Sequence, residues 1–414
     1  MPYYFVVKDF LLTPVMTACT ESRFGALKHN IHSSLRNSRY SMTIQPISLY
    51  PWLIARLRAV ATSSLLVLGV LQSFPLSRDL WDFASFLLSG RAWLAGLPIY
   101  DFSAQFEFLE THQIAGCFPN LNPPVWLPLF SLFSILPPYI AFLLWWFFNV
   151  LVSGLTVWFN RGDAPLFFLA LLGGSAPLWA TASLGQVYVV LFLIVLLLDR
   201  HLEKGRTNTA PILLASLVML KPNFALTFLP LLIERRFQFV AVSIVWIAMM
   251  GVGSILLFGL ELHLEYLAML SSRTVPSLAT NASVWQISPA VAGLVAILYT
   301  ALAILSSLKK TRIAPLRCQI YSGLCFSLLF SPICWVGYIV VLWPFLLRRH
   351  TQPLIIIALT LLLVPSSFVF NNYLDFWPLS LVYPTALLCL FIDSLNACGI
   401  DVNLRAKYGK NQYL

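Results

Sequence analysis

Charge is what this chain has least of. Charged side chains make up 10% of its 414 residues, and only sixteen are acidic. A soluble domain carries about 25% charged residues, so a surface built to face water all round is excluded. Cysteine is sparse and unpatterned. The seven cysteines form no CxxC pair and no metal-ligand spacing, which argues against a zinc module and against a disulfide framework. Strand-like alternation of apolar and polar residues is missing too, which excludes a transmembrane barrel. The ten-charge positive excess does not point to nucleic acid. Its Lys and Arg residues sit in short clusters between apolar blocks: Arg56/Arg58, Arg235/Arg236, Lys309/Lys310/Arg312, Arg348/Arg349 and Arg405/Lys407/Lys410. Clusters so placed are the mark of cytoplasmic loops.

What the chain does have is apolar length. Hydrophobic residues make up 59% and mean hydropathy is +0.81. Blocks of about 20 apolar residues suffice to cross a bilayer as helices, and a helix satisfies its own backbone there. The sequence therefore reads as an all-α polytopic membrane protein of about twelve spans. They fall near 60–74, 121–136, 139–158, 165–180, 184–199, 211–233, 238–260, 288–308, 315–331, 333–347, 352–370 and 377–393. Residues 1–59 read as a basic cytoplasmic arm, 60–393 as the membrane domain and 394–414 as a cytoplasmic tail. Met42 opens a second plausible start after a polar, basic stretch. One conflict remains between 119 and 233. A single kinked span over 211–233 leaves Arg200–Arg206 outside, against the positive-inside rule. A hairpin there repairs the conflict and requires one crossing fewer upstream.

Scarce acids make a local concentration of them informative. Asp79, Asp82, Asp101, Glu107 and Glu110 all fall within 32 residues, just after the first span. The stretch 75–118 lacks a convincing span and reads as an outer loop with membrane-surface helices, Trp81–Leu94 and Phe106–Ile114. Asp79 and Asp82 suit a helix N-terminus as cap and first-turn residues. One of them, partly desolvated beside Trp81 and Phe83, also suits a general base, since burial raises a carboxyl pKa toward the working range.

Four further segments interrupt apolar sequence. Phe118–Leu129 carries the pair Pro123-Pro124, which starts a helix cleanly. Ser183-Leu184-Gly185-Gln186-Val187-Tyr188 is a polar break in which Gly185 allows close backbone approach and Gln186 offers an amide between helices. Lys221-Pro222-Asn223 places an ammonium in an apolar stretch, either snorkelling or paired with an anion such as phosphate. Ser331-Pro332-Ile333-Cys334-Trp335-Val336-Gly337-Tyr338 is a tight turn expected on the same side as Asp82. Asn281-Ala282-Ser283 matches a glycosylation sequon, a weak signal by itself.

In order and spacing, these pieces resemble glycosyltransferase family 87, multi-spanning enzymes that include bacterial polyprenyl-phosphate-mannose-dependent mannosyltransferases. Trp81-Asp82-Phe83 comes first, then Gly96-Leu97-Pro98-Ile99-Tyr100, the Pro-Pro span, Gly185-Gln186-Val187, Lys221-Pro222 and Ser331-Pro332…Trp335. The resemblance implies a GT-C architecture with Asp82 as catalytic base and no bound cofactor. It implies a polyprenyl-phosphate sugar as donor, a lipid-linked or envelope glycan hydroxyl as acceptor, and inverting transfer on the outer face of the cell membrane. Membrane lipids are the expected surroundings. Asp79, Arg91, Tyr100, Gln186, Lys221, Ser331, Trp335 and Tyr338 are the expected substrate-side residues, with Lys221 and Arg91 placed to neutralise the leaving phosphate. No metal-ligand set is evident, although Asp79 with Asp82 can in principle hold a divalent cation. One departure stands out: the family commonly has a histidine after the Ser-Pro…Trp turn, and here Gly337 and Tyr338 occupy its place. A transporter or lipid flippase, or a catalytically degenerate member of the family, are the competing readings.

Overall fold

A computed structural model describes residues 81–100, 120–159, 165–206, 208–272, 280–309, 314–372 and 376–399, with isolated positions between 53 and 67. Asp79, Asp101, Glu107, Glu110 and the surface helix expected at Phe106–Ile114 lie outside the described residues, as does nearly all of the first expected span. Nearly everything described falls within one unit, Ile54–Leu414.

The described chain is helical throughout, apart from one isolated bridge between Asn281 and Trp335. We number its helices α1 (Trp81–Ala95), α2 (Leu127–Phe133), α3 (Pro138–Phe159), α4 (Leu166–Gly173), α5 (Ala176–Leu184), α6 (Tyr188–Glu203), α7 (Ala210–Leu220) and α8 (Phe228–Ile233). They continue as α9 (Phe237–Phe258), α10 (Leu260–Ser272), α11 (Pro289–Lys309), α12 (Leu316–Phe330), α13 (Trp343–Leu346), α14 (Pro353–Leu362), α15 (Ser366–Asn372) and α16 (Val382–Ala397). Short 3₁₀ segments at Pro222–Thr227 and Val336–Leu342 lead into α8 and α13.

The span expectations hold for position better than for length. Among the described residues three helical stretches are long and apolar enough to cross a membrane: 138–156, 237–258 and 377–397. A fourth forms if α14 and α15, bent by 64° at Pro365, count as one. Twelve full spans are therefore not what these residues show. The cause is visible in the sequence. Proline at 222, 230, 344 and 365 removes backbone donors, and Gly185 and Gly174 end helices early. Such breaks are tolerated at membrane depth where protein, rather than lipid, surrounds the backbone. α12 is the extreme case, with every residue from Gln319 to Phe330 buried.

Side-chain pairs fix the direction of each segment along α12. Asn223 meets Ser331 at its C-terminal end, Thr227 meets Ser327, and Arg236 reaches Gln319 and the Ala314 carbonyl at its start. Residues 222–236 thus run antiparallel to α12. At that same starting end, Arg317 binds Asp199 through both carboxylate oxygens, Arg348 binds Glu203, and Arg349 binds Asp393 at 2.7 Å. The C-terminal end of α6 lies there too, so α7 must climb away from it to Lys221 before the chain returns. The stretch 210–236 is a hairpin with Lys221 at its tip, not a single kinked span. The Arg200–Arg206 group lies at the same end of the molecule as Arg235/Arg236 and Arg348/Arg349, and the charge-rule conflict disappears.

α1 also departs from expectation. It was expected to lie on the membrane surface, yet Phe83 through Gly90 are buried on all sides. Gly90 explains the close fit: a Cβ there would stand 2.5 Å from the Phe130 backbone carbon. The helix with a surface pattern is α10. After the sharp turn at Gly259 (φ 82°), it buries Tyr266 and Met269 and leaves Leu260, Leu264 and Leu267 outward.

The hairpin predicts a labelling pattern. With native cysteines replaced, single cysteines at Lys204→Cys and Arg235→Cys should react with a membrane-impermeant maleimide from the same side of sealed vesicles. Labelling from opposite sides would restore the single span.

Candidate active site

At the far end of α6 from Glu203, about 24 Å along a 16-residue helix, several broken segments meet. α5 ends at Gly185 in the left-handed conformation (φ 68°, ψ 33°), with its backbone against Phe83 and Phe142. A Cβ at Gly185 would lie 2.5 Å from that of Phe83. This contact brings the start of α1 against the α5–α6 turn. Trp145 Nε1 donates to the Gly185 carbonyl at 3.0 Å and steadies the same turn. The consequence is a direct bond: Gln186 Nε2 donates to Asp82 Oδ2 at 2.5 Å.

Asp82 is only partly exposed. Burial pushes its pKa up to about 6, against the opposing pull of the Gln186 hydrogen bond and the Lys221 charge. Lys221 stands at the hairpin tip. Its Nζ donates to Asn122 Oδ1 at 2.9 Å and lies 5.4 Å from the centre of the Tyr338 ring, within range for a cation–π contact. Asp82 and Lys221 do not form an ion pair with each other. Each charge is held by a neutral amide, which leaves both available to a third group.

Tyr338 in turn stacks on Tyr188, with ring centres 3.9 Å apart and planes at 30°. The position before it admits no side chain. A Cβ on Gly337 would come within 2.7 Å of both Thr181 Oγ1 and the Tyr188 ring. A histidine at 337 has no room in this packing, and Tyr338 fills the space facing Lys221.

The remaining expected residues divide. Tyr100 joins the site through its hydroxyl, which donates to the Asn122 carbonyl at 2.9 Å, while its ring packs against Tyr266 of α10 at 5.5 Å. Ser331 accepts from Asn223 Nδ2 at 3.2 Å and donates to the Ile333 carbonyl. Trp335 lies in the bridge opposite Asn281 and serves the turn rather than the charged pair. Arg91 is not brought in. Nine residues beyond Asp82, it falls about 13.5 Å along the helix and on the opposite face, with an exposed side chain. Spacing alone suggested it; the helical phase removes it.

Asn281, the first residue of the weak sequon match, is buried. It is 1% exposed, its Oδ1 accepts from the Ser283 and Cys334 N–H groups, and its Nδ2 donates to the Pro332 carbonyl. Its work is to tie the loop before α11 to the 331–338 turn. Sequence reasoning did not assign Asn120, Asn122, Tyr188 or Asn223. The available signal was a side-chain amide or hydroxyl within two residues of each helix break.

A sequence model of glycosyltransferase family 87 matches residues 120–370. The matched region holds Gln186, Lys221, Ser331, Trp335 and Tyr338. Asp82, Arg91 and Tyr100 precede it, so Asp82 enters the site by its bond to Gln186. No curated protein and no solved structure matches the chain significantly.

The packing at Gly337 gives a test. Gly337→Ala should destabilise the detergent-solubilised protein by about 1–3 kcal/mol, the usual cost of overpacking, in a chemical-denaturation series. Gly293→Ala, where no atom lies within 4 Å of the added Cβ, should not.

Proposed function

Because the chain belongs to glycosyltransferase family 87, and so to the membrane glycosyltransferases, we propose that it moves a mannose-like sugar from a polyprenyl-phosphate donor to a hydroxyl of a lipid-linked or envelope glycan. The acceptor oxygen bonds to the anomeric carbon as the carbon–oxygen bond to phosphate breaks, in one inverting displacement. The acceptor's proton passes to Asp82. The carrier leaves as polyprenyl phosphate and needs a positive charge rather than a proton, which Lys221 supplies. Gln186 orients the Asp82 carboxylate. Reaction on the outer face of the cell membrane agrees with the position of Arg200–Arg206, Arg235/Arg236 and Arg348/Arg349 at the opposite end from the site.

The observation that carries this reading is the meeting of Asp82, Gln186 and Lys221, from three separate stretches of chain, with both charges held by amides. A base must be ionised at working pH yet basic enough to take a proton, and a pKa near 6 suits that. A transporter would need no such pairing of base and leaving-group cation, and family membership weighs against it. The degenerate reading rests on the missing histidine, whose place Gly337 and Tyr338 occupy.

Asp82→Asn should leave the protein folded and membrane-inserted while lowering sugar transfer by about 10²–10⁴-fold; undiminished transfer removes Asp82 from the mechanism. The pH profile carries a second test. Transfer should fall as pH drops through about 6, where Asp82 takes up its proton. Gln186→Leu removes a bond that favours the ionised form, so the midpoint should move upward.

A further inference from the structure

A run of hydrogen bonds joins Lys221 to the backbone of α1 at Asp82. It starts at the Asp82 carbonyl, which accepts from Ser85 Oγ at 2.7 Å. The Ser85 carbonyl accepts from Ser89 Oγ at 2.7 Å, and Ser89 Oγ accepts from Asn120 Nδ2 at 2.9 Å. Asn120 Oδ1 accepts both the backbone N–H and Nδ2 of Asn122, at 2.9 and 3.0 Å. Asn122 Oδ1 then accepts from Lys221. Asp82, Ser85 and Ser89 recur at i, i+3 and i+7, one face of α1. Ser85, Ser89, Asn120 and Asn122 are 4%, 1%, 7% and 6% exposed, so little water competes for these bonds.

Asn122 is the link on which the lysine depends. All four of its polar groups are committed: Oδ1 to Lys221, Nδ2 and N to Asn120, and the carbonyl to Tyr100. Anchoring Nδ2 fixes the amide plane and aims Oδ1 at the ammonium, and the two partners together determine which end is oxygen. A neutral acceptor also leaves the lysine its full charge, where a carboxylate would cancel it. Lysine is a flexible point charge, and Asn122 restricts it from one side as the Tyr338 ring does from another.

We propose that Asn122 is a positioning residue that aims the Lys221 ammonium at the departing phosphate, with Asn120 and Ser89 setting its distance from Asp82. The proposal rests on the transfer reading above. It is tested with the full-length protein in detergent, using farnesyl phosphate as a short isoprenoid phosphate and farnesol as the uncharged control. Wild-type protein should bind farnesyl phosphate more tightly than farnesol, and Lys221→Met should remove the difference. Asn122→Asp should weaken farnesyl phosphate binding by about tenfold or more, the usual worth of a charge-assisted bond, with farnesol binding unchanged. The neutral variant Asn122→Leu should also weaken farnesyl phosphate binding, and joined to Lys221→Met it should cost nothing further, because the two residues act as one unit.

Wild-type affinity for farnesyl phosphate in Asn122→Asp overturns the proposal. So does an equal loss of farnesol binding, which marks a packing defect, or an Asn122→Leu loss that adds to that of Lys221→Met. Wild-type protein that fails to distinguish the two probes overturns it as well. Wild-type protein that prefers farnesyl phosphate yet transfers no sugar sinks the transfer reading and leaves the positioning of Lys221 intact.

Discussion

The cost of burying charge governs this molecule, and it is met in two different ways at its two ends. At the basic end, carboxylates meet guanidinium groups. Arg317 takes both oxygens of Asp199, and Arg349 takes both of Asp393. Asp199 and Asp393 are 1% and 2% exposed, and a buried carboxylate left without its partner is strongly destabilising. These pairs tie α6 to α12, and the segment after α13 to α16. At the other end, Asp82 and Lys221 are each satisfied by a neutral amide. A paired charge is spent on the fold, whereas an amide-held charge keeps its field. That difference separates the ions that hold the fold from the two at the candidate site.

The same economy accounts for the broken helices. The side chains of the candidate site sit where regular helix stops: Gln186 after Gly185, Lys221 before Pro222, Tyr338 in a 3₁₀ segment, Asn122 before Pro123-Pro124. A continuous span satisfies its backbone without help, but it offers the membrane interior no place to turn a side chain toward a substrate. A broken one needs surrounding protein, and here α12, buried on every face, supplies much of it. The charge-poor composition and the prolines are two sides of one arrangement, in which irregular backbone is packed inside a shell of apolar helices such as α3 and α9.

Much of this was legible in the sequence. Apolar blocks located the helices, and the scarcity of acid made Asp82 conspicuous. The breaks at Gln186 and Lys221 marked two of its neighbours. Three things were hidden. Helical phase was one, since Arg91 looked suitable by distance along the chain and lies on the wrong face of α1. Partner identity was another: nothing local says that Asn122 faces a lysine 99 residues away. Burial was the third. Trp81–Ala95 mixes Ser, Gly and Arg among aromatics, a pattern that suggests a surface helix, whereas its serines face Asn120 and its glycine faces the Phe130 backbone. The hairpin at 210–236 was an open alternative in the sequence, and tertiary pairing along α12 decided it.

The hairpin has a consequence for how such a chain adapts. A lysine at the tip of two legs stands at a depth metered by the number of residues in them. Each helical residue in the rising leg is worth about 1.5 Å and a whole turn about 5.4 Å. Lengthening or trimming both legs together shifts the ammonium along α12, against the register that the Asn223–Ser331 and Thr227–Ser327 pairs set. Asp82 arrives on a separate segment, yet Asn122, Asn120 and Ser89 join the hairpin tip to that segment and hold the gap between the two charges. The separation of the two charges can therefore change only if the leg length and that run of bonds change together.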